Sequence, residues 1–332
     1  MVTDMIPPAA APAFLAQAGW EHAAIVPLAG DASFRRYFRV IDGARRAVLM
    51  DAPPPHEDPR PFIAIARHLT EKGFAAPRIL AQDLDEGLVL IEDFGDLRVK
   101  EHVEDAPEAE RDVYSRAVNL LAALHRLPAA DVPPYDREVY QREAGLLTEW
   151  YCPAIGLPVD EPGYAAAWDA VLPIVERSAS PVVTVLRDYH AENIMLIDRA
   201  ESHGLGLLDF QDALAGHPAY DLVSLLQDAR RDVSPALEAA MLAHYRAVAD
   251  PPADFDAAYA VLGAQRNAKI IGIFTRLWKR DGKPRYLSFL PRMWDLLERD
   301  LAHPALAPVA AWFAANIPAD KRHHALEDYA PA

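Results

Sequence analysis

Three polar residues stand where chemistry could be done. The run Val185-Leu186-Arg187-Asp188-Tyr189-His190-Ala191-Glu192-Asn193-Ile194-Met195-Leu196 carries an apolar strand into a polar loop and out into a second strand. Asn193 follows Asp188 by five positions, and Gly206-Leu207-Leu208-Asp209 ends a third apolar run on a carboxylate. Any one of these residues alone reads as a turn cap. Together they supply a carboxylate that accepts the proton of an acceptor hydroxyl, and an amide oxygen and a second carboxylate that suit Mg²⁺ bridging the phosphates of ATP. The order and the flanking strands therefore point to phosphoryl transfer, with Asp188 as base and Asn193 and Asp209 as metal ligands.

The elements that must position these residues follow from the pattern. Ala24–Leu28, Phe34–Ile41 and Ala44–Asp51 read as strands, the last two joined through Asp42-Gly43 as a two-residue turn. That turn pairs Arg35 with Met50. Pro59–Lys72 is a helix stopped by Gly73, and Arg78–Gln82 with Gly87–Glu92 forms another hairpin. After Asp93-Phe94-Gly95-Asp96 the period becomes helical, over Glu108–Leu127, Arg137–Tyr151 and Gly163–Ser178. Strands return at Val182–Leu186, Ile194–Ile197 and Leu205–Leu208, and the chain is helical from Ala219 onward. The expected class is α+β, with a small antiparallel β-lobe over residues 1–94 and a large, mainly helical lobe over 95–332.

Composition bounds the partners. There are 49 Asp and Glu residues against 33 Lys and Arg among 332, a formal charge of −16. A field of that sign repels phosphate backbones, which argues against general nucleic-acid binding. The single cysteine, Cys152, allows no internal disulfide and fits a cytoplasmic location. The opening Met1-Val2-Thr3-Asp4-Met5 does not read as a signal peptide, and no run approaches the ~20 apolar residues of a membrane span. No obligate protein partner is evident.

The segment Val185–Leu196 resembles the catalytic loop of the aminoglycoside phosphotransferase family, whose fold is the two-lobed kinase fold, and Gly216-His217-Pro218-Ala219-Tyr220-Asp221-Leu222 also resembles that family. The resemblance implies that Gly30, Asp31, Ala32 and Ser33 cover the nucleotide phosphates and that main-chain groups from Glu92 to Phe94 bind adenine. Met50 stands where the family's third strand carries a phosphate-pairing lysine, and Arg35, on the same face as Met50 by the pairing above, is expected to supply that cation. Gly30–Arg39, Val48–Pro54, Asp209–Ala213, Gln265-Arg266-Asn267 and Gly272-Ile273-Phe274 resemble a narrower group, the anomeric N-acetylmuramate/N-acetylglucosamine kinases of peptidoglycan recycling. That likeness implies an amino-sugar acceptor phosphorylated at C1, with ATP and Mg²⁺. Arg187, His190, Arg266, Asn267 and Lys269 are the candidate substrate contacts. Arg187, Arg266 and Lys269 are the cations available to a lactyl carboxylate. A kinase of another small hydroxyl compound, such as an aminoglycoside, or a nucleotide-binding pseudokinase, are the alternatives.

Overall fold

The computed structural model describes residues 5–30, 34–199 and 201–329. Along the chain run α1 (Ala11–Gln17), β1 (Ala24–Gly30), β2 (Arg36–Asp42), β3 (Arg45–Asp51), α2 (Arg60–Glu71), β4 (Ile79–Asp83), β5 (Leu88–Glu92), α3 (Val99–Asp105), α4 (Glu110–Leu124) and α5 (Arg137–Leu146). Then come α6 (Glu161–Val171), β6 (Val183–Val185), β7 (Ile194–Leu196), β8 (Leu205–Leu207), β9 (Leu214–Gly216), α7 (Ala219–Leu226) and α8 (Pro235–Ala249). The chain closes through α9 (Phe255–Lys279), α10 (Leu290–Leu301) and α11 (Ala307–Asn316). A five-stranded sheet followed by a mainly helical part is the α+β class expected.

Two compact units divide the chain, Met1–Ala117 with Ala191–Ala213, and Val118–His190 with Leu214–Ala332. The division does not coincide with a boundary at residue 94. Main-chain bonds explain why the β7–β8 hairpin joins the first unit: Leu207 N donates to the Ala75 carbonyl, and Leu196 N to that of Leu97, both at 2.8 Å.

In the first unit the sheet is antiparallel, in the order β1-β2-β3-β5-β4. Alternate residues reach one face, as a two-residue period requires. Phe38 and Val40, Ala47 and Leu49, and Leu88 and Leu90 form one core with Phe14, Leu15 and Trp20. The helix α1 has no side-chain cap; burial of Phe14 and Leu15 holds it, which explains why its seven residues carried no signal of their own.

The β2–β3 register corrects the expected one. Gly43 and Ala44 are the turn residues, Asp42 pairs with Arg45, and Tyr37, not Arg35, faces Met50. An Asp42-Gly43 turn of the favoured type needs positive φ at both positions. Only Gly43 has it, at 59°, so the turn begins at the residue without a Cβ. Arg36 then faces Asp51, and its Nε donates to Asp51 Oδ2 at 2.8 Å. Arg35 precedes the strand and pairs with Glu57, Nε to Oε2 at 3.5 Å.

In the second unit α9 is the central element, buried on nearly every side. Gly272 allows this: a Cβ there would lie 2.3 Å from the backbone of Leu146 at the end of α5. The short β6 pairs with β9. Three residues of Leu-Ala-Gly have too little pattern to be read as a strand alone.

Candidate active site

The loop after β6 is held by the start of α7. Arg187 adopts a left-handed conformation, φ 70°, which a non-glycine residue keeps only when its surroundings enforce it. Asp221 does so, its two oxygens accepting from Leu186 N at 2.7 Å and Arg187 N at 2.8 Å. From the other side Ser224 Oγ donates to the Arg187 carbonyl at 2.9 Å, and Arg266 Nη2 donates to Ser224 Oγ at 2.8 Å. A helix-start carboxylate usually serves its own helix; this one serves the catalytic loop.

Burial pushes the Asp221 carboxyl up to about 7, the two backbone N–H bonds only partly offsetting it. A carboxyl raised in the fold contributes stability that is fully present below the ordinary 3.8 and lost as pH rises through about 7. Unfolding curves against pH should therefore be flatter across that window for Asp221→Asn than for the natural chain. Asp221→Ala should lower stability at every pH, by roughly 1–3 kcal/mol for each N–H left without an acceptor. Identical pH profiles for the natural chain and Asp221→Asn would remove Asp221 as the titrating group.

Asp188 is half-buried within this loop. Burial raises its carboxyl, but Lys269 foremost, then His190, Arg266 and Arg187, outweigh that and hold it below the usual aspartate range. It is thus ionised at neutral pH, as a proton acceptor must be. His190 is 3% exposed, and Arg230 Nη1 donates to its Nε2 at 2.9 Å. Its partners are those of a loop anchor. Arg266, 4% exposed, acts inward through Ser224.

Asn267, a candidate substrate contact, lies within the core. It is fully buried, and its amide donates to Gln227 Oε1 at 2.7 Å and Asp300 Oδ2 at 3.0 Å. A polar residue on so buried a helix needs partners, and those found belong to the core. Arg187 and Lys269, by contrast, are brought together. Both meet Glu143 of α5, Lys269 Nζ at 3.0 Å from Oε1. Glu143 carried no signal in the sequence beyond being an acidic residue amid a helical pattern.

In the first unit Asn193 and Asp209 are neighbours, Asn193 Nδ2 at 3.3 Å from Asp209 Oδ2. The β7–β8 pairing sets this, since Leu208 N donates to the Asn193 carbonyl at 3.0 Å. Asp209 takes φ 57°, a conformation Asp tolerates better than most residues, and Phe210 behind it stacks on Phe62 of α2 at 5.0 Å. Gln211 Nε2 donates to Asp209 Oδ1 at 2.8 Å. One carboxylate and one amide are hard oxygen donors without thiolate or imidazole, the set that suits Mg²⁺ shared with phosphate oxygens. Among the described residues no cluster of three or more His, Cys, Asp or Glu side chains is arranged to hold a metal.

On the expected nucleotide side, Gly30 ends β1 opposite Arg36, while Asp31, Ala32 and Ser33 lie outside the described residues. Glu92 N donates to the Arg78 carbonyl at 2.9 Å, and the Glu92 carboxylate pairs with Arg78 and Arg199. Phe94 lies flat enough on β8 that a Cβ at Gly206 would come within 2.7 Å of its ring. Arg39 clamps the turn beyond, reaching Asp93 at 2.7 Å and Asp96 at 2.8 Å.

The profile of the phosphotransferase enzyme (APH) family matches residues 24–260. The chain belongs to that family. Two relatives named N-acetylmuramate/N-acetylglucosamine kinase are similar along almost their full length. The one from Caulobacter vibrioides is 36% identical, covering 95% of this chain and 98% of its own. The one from Pseudomonas aeruginosa is 39% identical, covering 89% and 90%. Among solved structures, a choline/ethanolamine kinase family protein from Mesorhizobium loti superposes with a TM-score of 0.63 at 16% identity, over 94% of this chain and all of that one. The streptomycin–ATP complex of APH(2″)-IIa gives 0.58 at 14%, over 91% and 98%. These phosphotransferases share the kinase-like fold, so a five-stranded sheet followed by helices is the family's arrangement here too. That complex holds ATP, as its name states. Among the described residues no helix is long and apolar enough to cross a membrane.

Proposed function

We propose that this phosphotransferase moves the γ-phosphoryl group of ATP to the C1 hydroxyl of N-acetylmuramate and N-acetylglucosamine. The observation that carries the reading is that four relatives, each matched over 86% or more of its own length, are named N-acetylmuramate/N-acetylglucosamine kinase; the C1 position is part of the proposal. Asp188, ionised beside Lys269 and Arg266, accepts the proton as the hydroxyl oxygen attacks phosphorus, and ADP departs. Asn193 and Asp209 would hold Mg²⁺, which supplies charge neutralisation to the phosphates. Glu92 to Phe94 would contribute main-chain groups to adenine, and Arg35 would supply the phosphates with the cation that Met50 cannot. An amino-sugar kinase of this kind works in the cytoplasm, where ATP is found.

Coupled ADP-release assays against a panel of amino sugars, choline and aminoglycosides test the reading. Turnover is expected with the two N-acetylated sugars, and ³¹P spectra should place the new phosphate on C1. Turnover confined to choline or an aminoglycoside would replace the substrate class, and none with any acceptor would leave a nucleotide-binding protein. In the same assay Arg35→Ala should raise the KM for ATP and leave that for sugar unchanged; an unchanged ATP KM removes Arg35 from the phosphate site.

A further inference from the structure

Within the unit formed by 118–190 and 214–332, one carboxylate gathers two cations that lie far apart in sequence. Glu143 is 8% exposed at its side chain. Its Oε1 accepts from Arg187 Nη2 and lies 3.0 Å from Lys269 Nζ. Its Oε2 accepts from Tyr135 Oη. Lys269 also donates to Tyr220 Oη at 3.2 Å, and the rings of Tyr135 and Tyr220 stand 5.0 Å apart beside the cluster. Burial works to raise the Glu143 carboxyl, yet Lys269, Arg187 and the Tyr135 bond hold it below the usual range.

Arg187 and Lys269 on Glu143, with Arg266 acting beside them on the ionised Asp188, set three cations against two carboxylates and leave one net positive charge. A lysine ammonium has three N–H donors, and Glu143 and Tyr220 take two of Lys269's. Arg187 and Lys269 are 19% and 13% exposed at their side chains, so the edge of the cluster is open while Glu143 is closed. Lys269 is also the foremost of the charges acting on Asp188, which puts it near the place where an acceptor hydroxyl must sit. Without Glu143 the two cations would repel each other and lose hydration with no compensation whenever the acceptor was neutral.

We propose that Glu143 is the positioning residue that lets one acceptor site take both an acidic and a neutral amino sugar. Lys269, steadied by Glu143 beside Arg187, receives the carboxylate of an acidic acceptor such as N-acetylmuramate. When the acceptor carries no carboxylate, as in N-acetylglucosamine, Glu143 and the ionised Asp188 hold the excess to a single positive charge, and the site still accepts a neutral ring. The inference rests on the amino-sugar kinase activity proposed above.

The test is kcat/KM for N-acetylmuramate, its lactyl amide and N-acetylglucosamine, with the natural enzyme, Glu143→Gln, Lys269→Gln and Tyr135→Phe, each checked for folding by thermal melting. Glu143→Gln adds a positive charge to the cluster and should raise the acidic-to-neutral preference about tenfold, the scale of one charge-assisted hydrogen bond. Lys269→Gln should lower it about tenfold and erase discrimination between the acid and its amide. Tyr135→Phe removes a bond without changing charge and should shift the ratio by less than about threefold. Equal losses for acidic and neutral sugars in both charge variants would reduce Glu143 to a loop clamp and overturn the proposal. Should Glu143→Gln fail to fold, the acid-to-amide ratio of Lys269→Gln decides: a ratio equal to the natural enzyme's overturns it. A natural enzyme inactive on all three sugars would instead overturn the amino-sugar reading itself, and this inference with it.

Discussion

Asp188→Asn is expected to lower kcat by roughly 10²–10⁴, the range removed with a general base, while the KM for ATP stays close to the natural value. Asn keeps the size of the side chain and can still bond the acceptor hydroxyl, but it cannot take a proton. The loop around it is also held at the main chain, by groups the substitution leaves in place. Its shape is set by Asp221 and Ser224 acting on the main chain at Leu186 and Arg187. The loss should therefore appear in kcat rather than in folding. The pH profile supplies a second reading. With Lys269, His190, Arg266 and Arg187 outweighing burial, the Asp188 carboxyl sits below the ordinary 3.8. A base must be deprotonated, so activity should hold as pH falls towards that value and fail only below it, unless unfolding intervenes first. Near-natural turnover by Asp188→Asn, or an acid limb near neutrality belonging to this residue, would remove it from the mechanism.

Asp209→Asn should cost on the order of 10² or more in kcat, because a metal's charge stabilisation is worth several kcal/mol. The substitution isolates charge from conformation. Asp209 holds φ 57°, and Asn accepts that left-handed backbone as readily as Asp, so the β8 end should keep its shape. Gln211 and Asn193 donate to different Asp209 oxygens, so an amide there keeps one of the two bonds, and the other partner must turn its own amide oxygen to the new NH₂. What goes is the single carboxylate of the metal pair, so the Mg²⁺ concentration for half-maximal rate should rise sharply and added Mg²⁺ should recover part of the lost rate. Chelation should abolish activity in the natural enzyme. Full activity in the presence of a strong chelator, or a magnesium dependence unmoved by the substitution, would show that Asn193 and Asp209 do not bind the ion.

Much of this was legible because it is local. Asp188 and Asn193 occupy one loop between two short apolar strands, and Asp209 ends the next, so residue type, spacing and strand pattern could be read together within some two dozen positions. The strands of the sheet were legible for the same reason: apolar alternation has a period that one segment displays by itself. Helix α9 was legible as a helix, yet the same reading put Asn267 at the substrate, because a polar residue on an apolar helix looks alike whether it meets ligand or core. Its partners Gln227 and Asp300 lie 40 and 33 positions away.

The amino-acid sequence by itself determined the family, and with it the reaction type, and most of the strands and helices; it also nominated the residues proposed to carry the reaction. Tertiary structure alone decided which side chains share a partner. Glu143 comes to Arg187 from 44 positions away and to Lys269 on a different helix. Asp221 crosses 35 positions to grip the catalytic loop in place of its own helix. Tyr37 rather than Arg35 faces Met50, since a turn moved by one residue displaces every pair of the hairpin by two. The first two share a physical reason, and the third turns on where a two-residue turn begins. Backbone periodicity and turn chemistry act between near neighbours, whereas a buried charge finds its counter-charge only after packing has removed water from both.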